Sequence, residues 1–195
     1  MKIDKIKKSV LEQLKDKLPE HLTYHDVGHT VYVYEQVKKI GDKEGVTGKE
    51  LKLLQIAALY HDIGFTVSHQ DHEEASCEIA TAQLDDVLSK KELMAVCNMI
   101  MATKIPQTPT NLLEQILADA DLEYLGTKRF YETGDKLFQE MRHFYPNMER
   151  TKWDRLQIQF LSDHQYHTRF CQQYKEKYKR KRLEELKAKE SSLKG

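Results

Sequence analysis

The chain has 195 residues, which suffices for one domain with a single core but not for two domains of ordinary size. Eight glycines, four prolines and a charged fraction of 32% favour an all-α fold over a β-sandwich or a barrel. The net charge is zero, but residues 1–162 carry 21 basic and 26 acidic side chains, whereas residues 163–195 carry 10 and 5. An acidic body argues against a nucleic-acid-binding surface, which needs a basic face.

The sequence shows no signal for export or membrane insertion. The first eight residues lack the apolar core of a signal peptide, and no window approaches the roughly 18 apolar residues of a membrane span. The three cysteines, Cys77, Cys97 and Cys171, are odd in number and far apart, which indicates reduced thiols rather than a disulfide framework or a Cys-rich zinc site. We therefore expect a cytoplasmic protein that does not bind membranes.

Hydrophobic periodicity predicts three helices in the first third of the chain. Residues 2–18 form an amphipathic helix that ends at Pro19. Thr23 is expected to cap a second helix over about 24–42. Thr47 begins a sequence typical of a capping box, which predicts a third helix over 48–62.

The remaining helices are predicted from caps and breakers. Ser68 is expected to cap a helix over about 70–88, and Ser89 opens a second capping box, whose helix ends before Pro106. Later helices are expected over 111–125, 127–145 and 148–163, followed by a long polar helix from about residue 164. The chain is thus divided into a core over 1–163 and a polar, basic C-terminal helical extension over 164–195.

The third predicted helix is apolar and ends in His61 and Asp62. An ionised carboxylate in apolar surroundings is costly unless it is paired, hydrogen-bonded or bound to a metal, and imidazole with carboxylate suits a divalent ion. His29 shares one face of the second helix with core residues, and Asp119 or Asp121 supplies a second acid. Two histidines and two carboxylates leave positions open for water, which a divalent ion acidifies while it polarises phosphoryl oxygens. The pattern predicts hydrolysis of a phosphate ester.

These motifs resemble those of the HD superfamily of metal-dependent phosphohydrolases, in which a His, a His-Asp doublet and a distant Asp follow one another. The resemblance spans about residues 22–126. It implies an all-α bundle whose central helices hold the metal, within an HD-domain core over 1–163. It rests on four segments: 24–29 (YHDVGH), 58–64 (ALYHDIG), 72–76 (HEEAS) and 119–122 (DADL).

The resemblance also implies the ligands. His29, His61, Asp62 and an Asp near position 121 would hold one divalent ion per chain, which is Mn, Mg, Ni, Fe, Co or Zn. Residues two apart on a helix point about 200° apart, and Asp121 is in line with the leucines four residues before and after it. Asp121 is therefore predicted to be the ligand, and Asp119 a group that supports it.

The segment 24–29 also looks like the motif of cyclic-nucleotide phosphodiesterases, a branch of the same superfamily in which the earlier His protonates the leaving oxygen. The i, i+4 spacing places His25 and His29 on one helix face. His25 is expected to be the general acid, and the alternative is a capping or core histidine. Asp62 is expected to be both a ligand and a catalytic group.

Three further residues are candidates for the same site. His69 and His72 lie where some relatives place a ligand for a second metal, and His72 is the better candidate. Residues 100–103 offer no histidine where dinuclear relatives usually carry one, so a second ion remains an alternative, with His72 otherwise a substrate contact or supporting group. Lys104 is a candidate to bring positive charge to a substrate phosphate, and the alternative is a solvated loop lysine.

The predicted function is metal-dependent hydrolysis, by metal-activated water, of a phosphomonoester or phosphodiester bond in a nucleotide or another small phosphorylated metabolite. The alternative is a non-catalytic HD module that binds metal and nucleotide as a sensor or regulatory domain. A di-iron oxygenase on the same scaffold would need more ligands than the sequence offers. The substrate and a homo-oligomeric state are left open.

Overall fold

The computed structural model describes residues 3–192, so residue 2 of the first predicted helix and residues 193–195 of the predicted extension lie outside the described residues. Over this range the protein is all-α, as predicted, with ten α-helices, two short 3₁₀ turns and no strand. The 3₁₀ turns are Ile63–Thr66 and Glu123–Gly126. The helices are α1 (Ile3–Lys17), α2 (Val27–Lys43), α3 (Gly48–Tyr60), α4 (His72–Leu84), α5 (Lys90–Met101), α6 (Leu112–Asp121), α7 (Phe130–Phe144), α8 (Arg150–Asp163), α9 (Arg169–Tyr174) and α10 (Glu176–Ser192).

The main hydrophobic core surrounds α3. Leu54, Ile56 and Leu59 are fully buried, and they pack with buried side chains of α1, α2, α5 and α6. Burial on nearly every side explains why the second half of this helix, residues 53–60, is almost entirely apolar, whereas its first turns carry the exposed Lys49, Glu50 and Lys52. The C-terminal end of α3, where the His-Asp doublet lies, is therefore inside the protein.

The predicted start of α2 is wrong by three residues. The carboxylate of Asp26 accepts the backbone N–H of His29 at 2.7 Å, so α2 begins at Val27 and not at residue 24. Thr23, the predicted cap, instead donates its hydroxyl to the backbone carbonyl of Lys136 in α7. Consequently His25 lies before the helix that was expected to carry it.

The other predicted caps have different outcomes. Ser89 forms its capping box, since its hydroxyl accepts the N–H of Glu92 and the carboxylate of Glu92 accepts the N–H of Ser89. Thr47 precedes α3 but makes no capping hydrogen bond, so the first predicted box is wrong. Ser68 donates to a carbonyl two residues later, and α4 instead follows Asp71, which adopts the left-handed conformation at φ 52°.

The C-terminal region is two helices rather than the single long helix predicted from residue 164. Thr168 caps α9 by accepting the N–H of Cys171, and α10 begins at Glu176. Leu186 of α10 is only 3% exposed, because it packs against a second hydrophobic cluster that includes Phe130 and Leu161. The C-terminal extension is thus packed against the rest of the fold through α8 and the turn Glu123–Gly126.

Two further sequence predictions concern location and thiol state. Cys77, Cys97 and Cys171 are free thiols. Among the described helices, none combines the length and the apolar character that a membrane crossing needs. The cytoplasmic location stays a prediction.

Candidate metal centre and adjoining cavity

A close approach between two chain segments fixes the end of α3. His61 is 0% exposed and Asp62 is 5% exposed, and both lie between α3 and the turn Ile63–Thr66. A side chain at Gly64 would place its Cβ 1.9 Å from the backbone oxygen of His72, so only glycine allows α4 to come this near. Ser76 of α4 donates its hydroxyl to the carbonyl of His61 and accepts the N–H of Gly64. These contacts hold the His-Asp doublet in place.

Three helices bring candidate ligands to one point. One ligand atom each from His29 (α2), His61 and Asp121 (α6) lies within 4.8 Å of the others. The Nε2 atoms of the two histidines are 3.2 Å apart, and Nε2 of His29 is 3.0 Å from Oδ1 of Asp121. Oδ2 of Asp62 lies 3.1 Å from Nε2 of His61 and 3.3 Å from that of His29. All four predicted ligands are therefore adjacent.

The donor set fits a divalent cation. Nδ1 of His61 lies 2.8 Å from the carbonyl oxygen of Ala58 and donates to it, which leaves the Nε2 lone pair directed to the cluster. Oδ2 of Asp62 is buried and has no hydrogen-bond partner among the described residues. A buried carboxylate oxygen without a hydrogen bond is costly unless a positive charge lies beside it. An ion between the imidazoles and carboxylates would satisfy this oxygen.

Electrostatics within the cluster also favour positive charge. Burial raises the pKa of Asp62, but His61 and other nearby histidines outweigh burial and hold that pKa well below its usual range. Burial likewise raises the pKa of Asp121, and the adjacent His29 and His61 lower it to about 2. Both carboxylates are thus ionised at neutral pH, in the form that binds a metal.

Asp119 makes a different set of contacts from Asp121. It is fully buried and accepts the backbone N–H groups of His167 and Thr168, each at 2.8 Å, and the hydroxyl of Thr168 at 2.6 Å. These three bonds tie α6 to the segment that precedes α9. Helical geometry points the two acids apart, so Asp121 faces the histidines and Asp119 faces the C-terminal segment.

Replacing Asp119 with alanine should lower the free energy of unfolding by about 3 kcal/mol, because three hydrogen bonds to a charged, buried acceptor are lost. Urea denaturation measures this loss, and Asp86→Ala, at an exposed site, is the control. The ion should still bind to the folded variant. Loss of the ion without loss of stability would show that Asp119 acts on the metal ligands instead.

His25 lies beside the cluster, but α2 does not place it there. Its Nδ1 is 2.5 Å from Oε1 of Glu140 in α7, and Oε2 of Glu140 accepts the backbone N–H groups of Tyr24 and His25. The His25 ring packs on Phe65 with ring centroids 4.3 Å apart, and its centroid is 6.0 Å from that of His29. The i, i+4 argument for its position is therefore wrong, because a buried glutamate from another helix positions the ring.

The same glutamate determines the charge of His25. Burial lowers the pKa of His25, but the hydrogen bond to Glu140 and the negative charge of Asp62 raise it more, so the net shift is upward. Glu140 is 1% exposed. No sequence signal marked it as functional, since it lies 115 residues from His25 in an ordinary helical segment.

His72 and His69 differ in their surroundings. Nε2 of His72 lies 3.6 Å from Oδ1 of Asp62, and its ring stacks on Phe65 with centroids 3.9 Å apart. Burial lowers the pKa of His72 to about 4, so its imidazole is neutral at physiological pH. The ring of His69 stacks instead on Phe144, with centroids 3.7 Å apart. Of the two, the structure brings His72 to the cluster.

Lys104 forms ion pairs with two acidic side chains at the protein surface. Its Nζ lies 2.9 Å from Oδ1 of Asp71 and 2.5 Å from Oε1 of Glu74, and it does not line the cavity beside the cluster. Both acids hold the ammonium at the start of α4. The structure therefore does not bring Lys104 to the predicted phosphate position.

A cavity of about 550 Å³ adjoins the cluster. Asp62, Asp121, His25 and His72 line one end of it. Side chains of α7 and α8 also line it. We call the large apolar side chains of this wall the apolar chamber, and they are Phe130, Leu137, Met141, Trp153, Leu156 and Phe160, with the polar Gln157 beside them.

Comparison with known proteins identifies a family match that covers the metal cluster. A family model described as an HD domain matches residues 25–123, which is half of the chain. The match contains His25, the four clustered ligands and His72. No curated protein and no solved structure matches the chain significantly. All six residues of the apolar chamber lie beyond the matched region.

Proposed function

Because the chain belongs to the HD domain family, we propose that it is a metal-dependent phosphohydrolase that cleaves a phosphomonoester or phosphodiester bond in a small phosphorylated metabolite. The cluster of His29, His61, Asp62 and Asp121 carries the proposal. Ligand atoms of His29, His61 and Asp121 lie within 4.8 Å of one another, with Oδ2 of Asp62 beside both histidines, and the cavity next to them has room for a substrate.

A divalent ion held by these four residues would supply Lewis-acid chemistry, acidifying a water molecule and polarising the phosphoryl oxygens. His61 is kept in the required tautomer by the carbonyl of Ala58. Asp62 and Asp121 are ionised, so they accept hydrogen bonds from water and orient it towards phosphorus. In this proposal Asp62 is both a ligand and a catalytic group, and one ion binds per chain.

His25 is proposed as the general acid. Its Nδ1 is engaged by Glu140, so Nε2 is the nitrogen left for substrate. Glu140 orients the imidazole and, by raising its pKa, keeps a proton on it. The imidazolium donates this proton to the leaving oxygen as the phosphorus–oxygen bond breaks.

His72 is proposed as a substrate contact. Its neutral imidazole, 3.6 Å from Asp62, borders the cavity where a phosphoryl group would bind. A hydrogen bond from its N–H to a phosphoryl oxygen would position the ester. Ligation of a second ion is the alternative role.

The extension over residues 164–195 packs against the hydrolase core proposed for residues 1–163. Lys175 pairs with the buried carboxylate of Glu123, next to the end of α6. Leu186 packs on the cluster that contains Phe130, a residue of the apolar chamber. The extension thus supports the cavity wall.

The function is tested by a turnover screen. Purified protein is stripped with chelator, reloaded separately with Mn, Mg, Ni, Fe, Co or Zn, and assayed for phosphate release from mono-, di- and cyclic nucleotides, alkyl phosphates and an aryl phosphate. We expect turnover with one bound ion per chain, loss on chelation and recovery on reloading. One bound ion without turnover would indicate a sensor module, and two irons with oxygen uptake would indicate an oxygenase.

A further inference from the structure

Apart from His25, the charged residues that line the cavity are acidic. They are Asp62, Glu73 and Asp121, and none of the lysines and arginines in the described part of the chain lines it. Lys104, the cation predicted to meet the phosphate, is held by Asp71 and Glu74. One phosphate group can be neutralised at the metal cluster and His25, but a second or third inside the cavity would meet no lysine or arginine, since Arg129 and Lys136 line a separate small pocket beside His29 and Tyr24. The cavity therefore disfavours polyphosphates.

The apolar chamber makes up the rest of the cavity and is suited to an uncharged group. A volume of about 550 Å³ corresponds to the share of roughly 18 water molecules in the liquid. After a phosphate group is placed at the cluster, roughly ten to fifteen carbon atoms would fill the remainder. Phe130, Leu137 and Leu156 offer no hydrogen bond to a polar group, so sugar hydroxyls placed against them would lose hydrogen bonds to water. The polar groups on the same wall are the indole N–H of Trp153, which has no partner among the described residues, and the amide of Gln157.

Two aliphatic side chains lie where the chamber meets an adjoining surface groove. Ile105 and Leu156 are 54% and 43% exposed, and both line the cavity as well as an adjoining surface groove. Large aliphatic side chains at such exposure are explained when an apolar ligand passes over or covers them. Ile105 and Leu156 thus extend the apolar surface of the chamber to its edge, beside a groove whose other side chains, such as Gln159 and Asp163, are mostly polar.

We propose that the substrate is a phosphate ester that carries a single phosphate and a large, uncharged apolar group, alkyl or aryl, bound in the apolar chamber. This inference rests on the proposed function, since it names the substrate class of that site. The chamber lies outside the residues that match the HD domain model, so α7 and α8 determine specificity while the matched helices carry the chemistry.

The test uses manganese-loaded full-length protein and non-hydrolysable alkylphosphonates, measured by titration calorimetry. Affinity should rise about threefold to fourfold per buried methylene, so octylphosphonate should bind about 100-fold more tightly than butylphosphonate. The same order is expected for kcat/KM with the corresponding alkyl phosphates. A nucleoside triphosphate should be a poorer substrate than octyl phosphate.

A matched pair of variants locates the effect. Leu156→Lys places a charge at the chamber entrance, where the parent side chain is already partly exposed, so the fold is expected to tolerate it. It should weaken octylphosphonate binding at least tenfold relative to methylphosphonate binding. Met94→Lys, at a 61% exposed site on α5, should change neither.

The outcomes separate the two proposals. Turnover with no dependence on chain length, or with preference for a nucleoside triphosphate, would overturn the chamber assignment and leave the hydrolase proposal standing. Chain-length-dependent binding without turnover of any ester would support the chamber assignment and overturn the hydrolase proposal. Equal loss of octylphosphonate binding in both lysine variants would also count against the chamber.

Discussion

Replacing Asp62 with alanine should remove the bound ion and lower turnover by about 10³-fold, equivalent to about 4 kcal/mol of transition-state stabilisation. The physical reason is the position of its Oδ2, which is buried, close to both histidine Nε2 atoms and without a hydrogen-bond partner among the described residues. Without this oxygen the site keeps two imidazoles and one carboxylate, which bind a divalent ion more weakly.

Metal content and thermal stability measure the effect directly. The wild-type melting temperature should rise with added metal, because an ion that binds only the folded state stabilises it by mass action. Asp62→Ala should show no such rise, and Asp86→Ala should behave as wild type. An Asp62→Ala protein that retains its ion and its metal-dependent stabilisation would contradict the assignment.

Much of this cluster could be predicted from the sequence because its parts are encoded locally. An apolar run that ends in His61 and Asp62 places an acid at the end of a buried helix, whatever the rest of the chain does. The four-residue spacing of Leu117 and Asp121 placed that acid on the inward face of α6. Such patterns depend on one helix at a time, and the all-α fold was predicted on the same basis.

Contacts between distant segments could not be predicted in this way. Glu140 binds His25, and Thr168 of the C-terminal segment binds Asp119. The hydrophobic periodicity of a single helix gives no information about either partner, because each lies on a distant segment. The sequence also offers two candidate N-caps for α2, Thr23 and Asp26, and Asp26 is the one that caps the helix. The i, i+4 argument thus placed His25 near the metal cluster, as observed, but it relied on a helix that does not include His25.

The apolar chamber was missed for a different reason. Phe130, Leu137 and Trp153 have the spacing of core residues, and periodicity does not distinguish a side chain that fills the core from one that borders a cavity. Whether α7 and α8 leave a space depends on how both pack on the turn Glu123–Gly126 and on α10. The buried position of Leu186 was equally hidden, because the sequence around it is strongly charged.

Replacing His25 with alanine should preserve the ion and lower turnover of alkyl phosphates by about 10²–10⁴-fold, the usual contribution of a general acid. The deficit should be much smaller for an aryl phosphate with a good leaving group, which departs without a proton. Turnover of both esters and metal content are compared with those of His143→Ala, an exposed histidine on α7. A similar loss for both esters, or loss of the ion, would reject proton donation.

The contact between Glu140 and His25 predicts how proton donation to the leaving oxygen depends on pH. A general acid acts in its protonated form, so kcat/KM should be maintained below the pKa of His25 and fall as pH rises through it. Because Glu140 raises this pKa by hydrogen bonding, Glu140→Gln should move the falling limb to lower pH, with the same metal bound in both proteins. A limb that stays in place when Glu140 is changed, in a variant that is folded and holds its ion, would mean that a group other than His25 supplies the proton.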